Sequence, residues 1–527
     1  MNLSKRRGLF HGAAVLAAAG IVVKVLGACY KIPLGVILGP VGMTNFSIAY
    51  NIYSLLFVIA TAGVPIAVSK MVAESAARGE RKSAQKIFFI SKRFFLVFGA
   101  LGFVTMFLAA EGLSGAMGSS DSAAAIRAIS PSVLFVALVA VSRGYFQGHS
   151  DMYPTAVSEV IEALGKVVFG LLAAIFLKRL GYSSGMVSAG AVLGVSVGSL
   201  FSVIYFKIRT RDIKCIGISS VELREVMKKL LALSVPITIG AAVVSLTAVI
   251  DSALVLNILQ RGGEDEYHAK WLFGAYTYAS TLFSLPSFFI STIASVLVPS
   301  LSRAAKHRRV KEASLLSNSA LRLSVLISSV IAFGMAALSD GIVSILFSYG
   351  ADSGCLALSA RLLRIMCIGI IPLSVVTVTN AILQALGHAN LPVVAIASGG
   401  AAKLILNYLL IKSPGIGING AAISTVVCYV LTALINTINI KKYSYIGVET
   451  AKVFLKPLVV GIAFFLTASY TYFKTKPVFK VQFSAIFAAF AGGIVALIGI
   501  LVLKIVEKDD GKLIFGDADI FKFIDND

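Results

Sequence analysis

Long apolar runs separated by short polar or Gly/Pro-rich punctuation set the plan of this chain. Runs long enough to cross a bilayer fall at about residues 10–38, 44–66, 90–110, 128–148, 155–177, 185–206, 231–258 and 272–299. A second series follows at about 318–338, 355–387, 391–411, 417–438, 450–472 and 481–505. A spanning helix needs about 20 apolar residues to cross a roughly 30 Å hydrocarbon layer. The pattern therefore predicts fourteen transmembrane helices and leaves no large water-soluble domain. The first run follows the basic stretch Met1 to Arg7, which has the look of a signal peptide. It continues past Lys24 to Leu38, too long for a cleaved apolar segment, and reads as an uncleaved first span.

Composition agrees: 57% of residues are hydrophobic, 14% are charged and the mean hydropathy is +0.90. No water-soluble core of 527 residues could bury that much apolar side chain, so the solvent for most of the chain is lipid. The expected class is an all-α polytopic protein of the cytoplasmic membrane.

A net charge of +22 would suggest nucleic acid in a soluble protein, but here the cations collect in short loops. With a cytoplasmic N terminus, the cytoplasmic loops carry Lys70, Arg78, Arg81, Lys82 and Lys86, then Lys207 to Lys229, then Arg303 to Lys311. That is the positive-inside pattern, with Lys474, Lys476 and Lys480 as the exception. An even helix count returns the polar tail 506–527 to the cytoplasm. The charge pattern points to membrane lipids as partners, not nucleic acid.

The chain also contains a duplication. Gln147, in Arg143-Gly-Tyr-Phe-Gln-Gly-His-Ser-Asp-Met-Tyr-Pro154, has a counterpart in Gln384, in Asn380-Ala-Ile-Leu-Gln-Ala-Leu-Gly-His-Ala-Asn-Leu-Pro392. The offset, 384 − 147 = 237, recurs between Lys166 and Lys403 in the spans that follow. Six helices separate equivalent elements, so the halves share one orientation and form a parallel pseudo-two-fold repeat. The expected organisation is a six-helix bundle at 1–215, a second at 216–445, two further helices at 446–505 and the tail at 506–527. A central cavity between the bundles follows from it.

Ionisable residues within spans are the informative ones, since each costs roughly 2.5–3.5 kcal/mol at the bilayer centre unless it meets a partner or water. Lys24 and Lys31 are two helical turns apart on one face of the first span, among Gly27, Pro33 and Gly35, which are placed to bend it. They read either as a cationic stripe aimed at an anionic headgroup or as a paired and a snorkelling lysine. Glu159, Glu162 and Lys166 share a face of the fifth span, with Glu162 and Lys166 expected to neutralise each other. Asp251 is the lone acid deep in the seventh span: a counter-ion to Lys24, an ion-coupling carboxylate or a hydrated polar group. Arg143, Asn380, Gln384 and Lys403 complete the candidate lining, and for the Gln-to-Pro segments a plain tight turn is the competing reading. His149 and His388 read as solvated or capping. Glu264, Asp265, Glu266 and His268 follow Gly262-Gly263 and read as a solvated acidic loop, not a metal site. The five cysteines are scattered without CxxC spacing. Nothing matches a phosphate-binding loop, HExxH or a nucleophile elbow, so neither ATP-driven transport nor hydrolysis is indicated.

The segments Val23-Lys-Val-Leu-Gly27, Gly63-Val-Pro-Ile-Ala67, Ser142-Arg-Gly-Tyr-Phe-Gln-Gly148 and Pro154-Thr-Ala-Val-Ser-Glu-Val-Ile-Glu162 resemble a known family. It is the stage V sporulation protein B and lipid II flippase branch of the multidrug/oligosaccharidyl-lipid/polysaccharide exporter superfamily. The resemblance spans all fourteen helices. It implies a flippase working by alternating access, with two lobes rocking around a cationic cavity that holds a pyrophosphate-sugar headgroup. On it, Lys24 matches the basic residue of the family's first helix, and Lys31 lies one place off a second basic position. Where the Gram-negative lipid II flippases carry arginines in the second and eighth helices, this chain has Phe57 or Val58 and Thr281.

The expected function is export of an undecaprenyl-pyrophosphate-linked cell-wall precursor, the peptidoglycan unit, with spore cortex as one setting. The alternatives are a different lipid-linked polysaccharide unit or a cation-coupled multidrug antiporter using Asp251 or Glu159 and Glu162. The expected working unit is a monomer without a cofactor, driven by a monovalent cation or the membrane potential. A glycosyltransferase or polymerase would need acidic residues on a large external loop, which the short loops do not supply. Single cysteines on a cysteine-free background test the topology. In intact cells an impermeant maleimide should label position 265 and spare positions 81 and 308.

Overall fold

Lipid offers backbone N–H and C=O groups no hydrogen-bond partner, so a spanning chain must satisfy them internally, and helices do so. The computed structural model describes residues 3–213, 219–444, 446–447, 449 and 451–506, and among these it contains helices and turns with no strand. The expected tail at 506–527 lies almost entirely outside the described residues.

Twelve helical segments are long and apolar enough to cross a membrane, thirteen when Ser353–Cys367 and Ile370–Ala385, bent by 48°, are taken as one span. The first of these segments contains a break, and the count among the described residues comes close to the expected fourteen. That break lies in α1 (Leu3–Thr61), where Gly39 has φ 69° and ψ 178° immediately before Pro40. Proline lacks an N–H and disfavours helical backbone in the residue before it, and glycine alone adopts that φ without strain. A straight helix would part Lys31 and Tyr50 by about 28 Å, at roughly 1.5 Å per residue. The Lys31 Nζ instead lies 5.8 Å from the centre of the Tyr50 ring, so α1 folds back as a hairpin.

Packing divides the chain into two compact units, with the boundary inside α10 at Gly274/Ala275. The first unit holds α1, α2 (Val64–Ala77), α3 (Arg81–Leu108), α4 (Ala110–Ala116), α5 (Ala123–Ile129), α6 (Pro131–Gly148), α7 (Tyr153–Arg179), α8 (Ser184–Arg209), α9 (Ser220–Arg261) and the start of α10 (Glu266–Ser284). By packing, α9 belongs to the first unit, whereas the repeat plan places its first helix after residue 215 in the second bundle. Ion pairs tie it there at one end, Lys229 to Glu74 at 2.6 Å and Lys86 to Glu222 at 2.6 Å. At the other end Gln260 and Asn257 donate to the carbonyls of Gly118 and Ala116.

The second unit continues with α11 (Pro286–Lys306), α12 (Val310–Ala337), α13 (Ser339–Phe347), α14 (Ser353–Cys367), α15 (Ile370–Ala385), α16 (Asn390–Lys412), α17 (Asn419–Tyr443), α18 (Lys456–Thr475) and α19 (Val481–Val502). Its two last helices pack on α12 through small residues, the Phe464 ring lying against both Gly334 and Gly492.

The repeated Gln loops close with the same backbone motif. Ser150 N–H donates to the Gln147 carbonyl and Asp151 N–H to that of Phe146; Gly387 and His388 repeat this on Gln384 and Leu383. Each loop places a left-handed residue third after its glutamine, Ser150 at φ 63° and Gly387 at φ 88°. These are Schellman closures at the offset of 237.

Hydrophobic burial gives little drive to associate helices inside lipid, so close contact rests on small residues. On α8, Gly190, Gly194 and Gly198 recur one turn apart and face α7. A Cβ on Gly194 would stand 2.5 Å from the Gly170 Cα and 2.7 Å from the Lys166 carbonyl. Gly194→Val should therefore lower stability by about 1–3 kcal/mol, the usual cost of overpacking. Gly112→Ala, where a Cβ meets nothing within 4 Å, should be neutral or slightly stabilising. Thermal unfolding of the two purified variants in detergent reads the difference.

Candidate functional site

The polar face of α7 opens onto a cavity of about 370 Å³ within the first unit. Both arms of α1 wall it, through Val23 and through Tyr50, Tyr53, Ser54, Phe57 and Val58. Arg143 of α6, Glu159, Glu162, Ala163 and Lys166 of α7, and Val195 of α8 complete it. Spacings of three and four put Glu159, Glu162 and Lys166 on one helical face, as expected.

Their pairing differs from the expectation. Glu162 binds Arg143, with Nη2 to Oε2 at 3.1 Å, and does not neutralise Lys166. Arg143 Nε donates to Ser158 Oγ at 2.9 Å, and Ser199 Oγ donates to Glu162 Oε1 at 3.4 Å. The guanidinium reaches across from α6, steadied by the Ser158 hydroxyl, and with the Ser199 hydroxyl satisfies the carboxylate from two sides. A lysine one turn along the same helix can only approach it from above.

Lys166 turns instead to aromatic faces, its Nζ 5.4 Å from the Tyr30 ring centre and 5.9 Å from that of Tyr50. Lys31 approaches the same Tyr50 ring at 5.8 Å. Two ammonium groups thus flank one tyrosine, and among the described residues no carboxylate lies within ion-pair distance of either. Aromatic faces carry negative quadrupole density and hold cations in place, but they do not cancel a full charge. Lys166 lines the cavity and Lys31, though expected there, is not part of its wall; together the two charges suit an anion.

Aromatic residues form a continuous ladder along the second arm of α1. Phe46 stacks on Tyr50 at 5.6 Å between ring centres, Tyr50 meets Tyr53 at 5.9 Å, and Tyr53 meets Phe57 at 5.7 Å. Tyr30 of the first arm joins it at Phe46 and donates its hydroxyl to the Ala191 carbonyl at 2.8 Å. Sequence reasoning that weighed charges alone missed this ladder. The signal was present in the aromatic spacing 46, 50, 53, 57, which stays on one helical face.

The remaining sequence candidates are more scattered. Lys24 is half-buried on the first arm beside Val23, and its side chain is not part of the cavity wall. Asp251 is buried on α9 next to Ser252, whose hydroxyl accepts from Asn51 at 2.7 Å. In the second unit Asn380 accepts from Asn436 Nδ2 at 2.7 Å, Gln384 is exposed and Lys403 is half-buried. Phe57 and Val58, one or other of which was expected in place of a basic residue, both line the cavity. Glu266, expected in a solvated loop, binds the buried Lys270 at 2.6 Å, and Asp121 binds the same ammonium at 2.9 Å. Lys270 itself fell outside the sequence candidates because it sits at a helix start, where lysines are ordinarily solvated.

Removing one partner of a buried ion pair costs about 3–5 kcal/mol, and the partial exposure of this one (10% and 18%) places it near the lower end. Arg143→Met should therefore cost about 3 kcal/mol. The double change Arg143→Met with Glu162→Met should recover most of that loss. A double-mutant cycle on thermal unfolding measures both.

Residues 9–305 match the model of the polysaccharide biosynthesis protein family, and residues 272–409 match the MatE model. An uncharacterized membrane protein of Bacillus subtilis (strain 168), YabM, is 30% identical over 84% of this chain and 82% of its own. Stage V sporulation protein B of the same organism is 26% identical over 96% of this chain and 97% of its own. Its lipid II flippase MurJ is 26% identical over 86% and 87%. Among solved structures, the lipid II flippase MurJ in an inward closed conformation superposes with a TM-score of 0.71 at 16% identity, covering 95% of this chain and 99% of that one. An inward-facing multidrug resistance MATE family transporter of the MOP superfamily gives 0.64 at 16% identity, covering 82% and 98%. This chain belongs to the polysaccharide biosynthesis protein family, in the branch of the multidrug/oligosaccharidyl-lipid/polysaccharide exporter superfamily that holds stage V sporulation protein B and the lipid II flippase.

Proposed function

We infer that this chain is a flippase that carries an undecaprenyl-pyrophosphate-linked cell-envelope precursor across the cytoplasmic membrane by alternating access. The relatives named for lipid II flipping and for sporulation favour the peptidoglycan unit as cargo, with spore cortex as one setting. The observation that carries the reading is the pair Lys31 and Lys166 around Tyr50, two cations beside a cavity with no carboxylate in reach among the described residues. A pyrophosphate supplies the missing negative charge. The protein works as a monomer with both termini in the cytoplasm and performs no covalent chemistry.

A cation-coupled antiporter of the same fold is the second reading. It is favoured by Glu159, a cavity carboxylate for which no ion pair is found among the described residues. The two readings part on cargo, since an antiporter exports cationic drugs and leaves lipid-linked intermediates unchanged.

Complementation of a strain depleted of its flippase tests the first reading, with inner-leaflet lipid-linked precursor measured directly. The wild-type chain should restore growth and clear the accumulated precursor. Lys31→Ala and Lys166→Ala should each cut export at least about tenfold at equal expression, while Lys311→Ala, which removes an exposed cation, should be silent. Full export by both Lys31→Ala and Lys166→Ala would remove the phosphate role of these lysines.

A further inference from the structure

We propose that the cavity holds its ligand in one polarity, with the pyrophosphate at the Lys166 end and the first sugar ring stacked on the aromatic rung at Phe57, beside Glu159. The proposal rests on the flippase reading and adds to it the part of the ligand that the aromatic ladder recognises.

The helix geometry fixes the two ends. The Lys178 ammonium reaches the Ile37 carbonyl at 2.5 Å, near the turn of the α1 hairpin, and Lys166 lies against Tyr50. Moving down α7 from Lys178 to Lys166 therefore follows the second arm of α1 away from its turn, and the two helices are antiparallel. Two further turns, about 10.5 Å, lead from Lys166 to Glu159 on α7 and from Tyr50 to Phe57 on α1. Glu159 and Phe57 thus face the same end of the cavity, opposite Lys166.

The two ends want different chemistry. Lys31 and Lys166 attract phosphate, whereas the Glu159 carboxylate repels it and accepts hydrogen bonds from hydroxyl or amide groups. Arg143 cannot offset Glu159 freely, because it is already committed to Glu162 at 3.1 Å. Between the ends runs the ladder Tyr50, Tyr53, Phe57 with steps of 5.9 and 5.7 Å. All three line the cavity, but Tyr53 is buried and Tyr50 carries the two ammonium groups, so the partly buried Phe57 ring is the rung available to a ligand. One face of a pyranose presents C–H bonds of positive partial charge, which pack on the negative face of an aromatic ring while the hydroxyl edge stays polar. A pyrophosphate joined to one or two sugars matches this order of cation, aromatic wall and acceptor. The volume of about 370 Å³ lies in the range of small-molecule pockets, roughly 300–1,000 Å³.

Affinity of the full-length chain in nanodiscs for two probes tests this: farnesyl pyrophosphate and farnesyl-pyrophosphoryl-N-acetylglucosamine. The wild-type chain should bind the sugar-bearing probe about tenfold more tightly, a difference of about 1.4 kcal/mol. Phe57→Leu should remove that advantage and leave the affinity for farnesyl pyrophosphate unchanged, and Phe57→Tyr should keep it. Glu159→Gln should retain most of the advantage and Glu159→Leu should reduce it. Lys166→Ala should weaken both probes by the same factor. Equal binding of the two probes by the wild-type chain, or an intact sugar advantage in Phe57→Leu, overturns the proposal and leaves the flippase reading standing. Binding of neither probe overturns both.

Discussion

Every charged group that lines the first unit's cavity sits on α7 or against it, and α7 holds its position because α8 has no side chains where the two backbones meet. Gly194 lies on Gly170, and Gly198 lies on the Glu162 carbonyl and on Gly165. In lipid this approach is itself the stabilising contact, since van der Waals packing replaces the hydrophobic drive of a soluble core. A side chain on this stripe would move α7 outward, parting Glu162 from Arg143 and Lys166 from its tyrosines. The site's electrostatics therefore depend on glycines that carry no charge.

The two halves of the expected repeat share a loop backbone and differ in side-chain chemistry. At the offset of 237, Arg143 corresponds to Asn380, Glu162 to Gly399 and Ser199 to Asn436. In the first half these positions form an ion pair backed by hydroxyls; in the second, Asn436 donates to Asn380 and to Thr379. A Cβ on Gly399 would collide with the Thr432 hydroxyl and stand 2.7 Å from the Cys428 carbonyl, so no carboxylate fits there. The loops at Gln147 and Gln384 close with the same hydrogen bonds although the side chains around them differ.

The tethering of α9 has parts of unequal weight. Lys229 with Glu74 and Lys86 with Glu222 are solvent-exposed pairs, which contribute little because water screens them. Lys270 is different: its ammonium is buried between Asp121 and Glu266, and Glu266 also accepts from the Ser120 hydroxyl and N–H. Close backbone contact adds to these, because Gly63 leaves room for the Ser234 carbonyl of α9. Contacts of this kind explain why packing groups α9 with the first unit although the repeat arithmetic groups it with the second.

The helical class, the near count of fourteen spans, the basic loops and the 237-residue repeat were all legible in the sequence. They are properties of one segment at a time: apolar run length, the missing N–H of proline, charge in short loops, and spacing along the chain. The polar face of α7 was legible for the same reason, since 159, 162 and 166 obey helical periodicity. Its pairing was not, because Glu162 had candidate partners both on its own helix and elsewhere, and only the crossing of α6 brought Arg143 to 3.1 Å. The tyrosines around Lys31 and Lys166 were hidden likewise. The Gly39 break turns residues 31 and 50 toward each other, and the glycine contact of α8 sets the depth at which α7 meets them. Sequence periodicity determines which face of a helix is polar; which groups meet across helices is decided by their crossings, and those exist only in the tertiary structure.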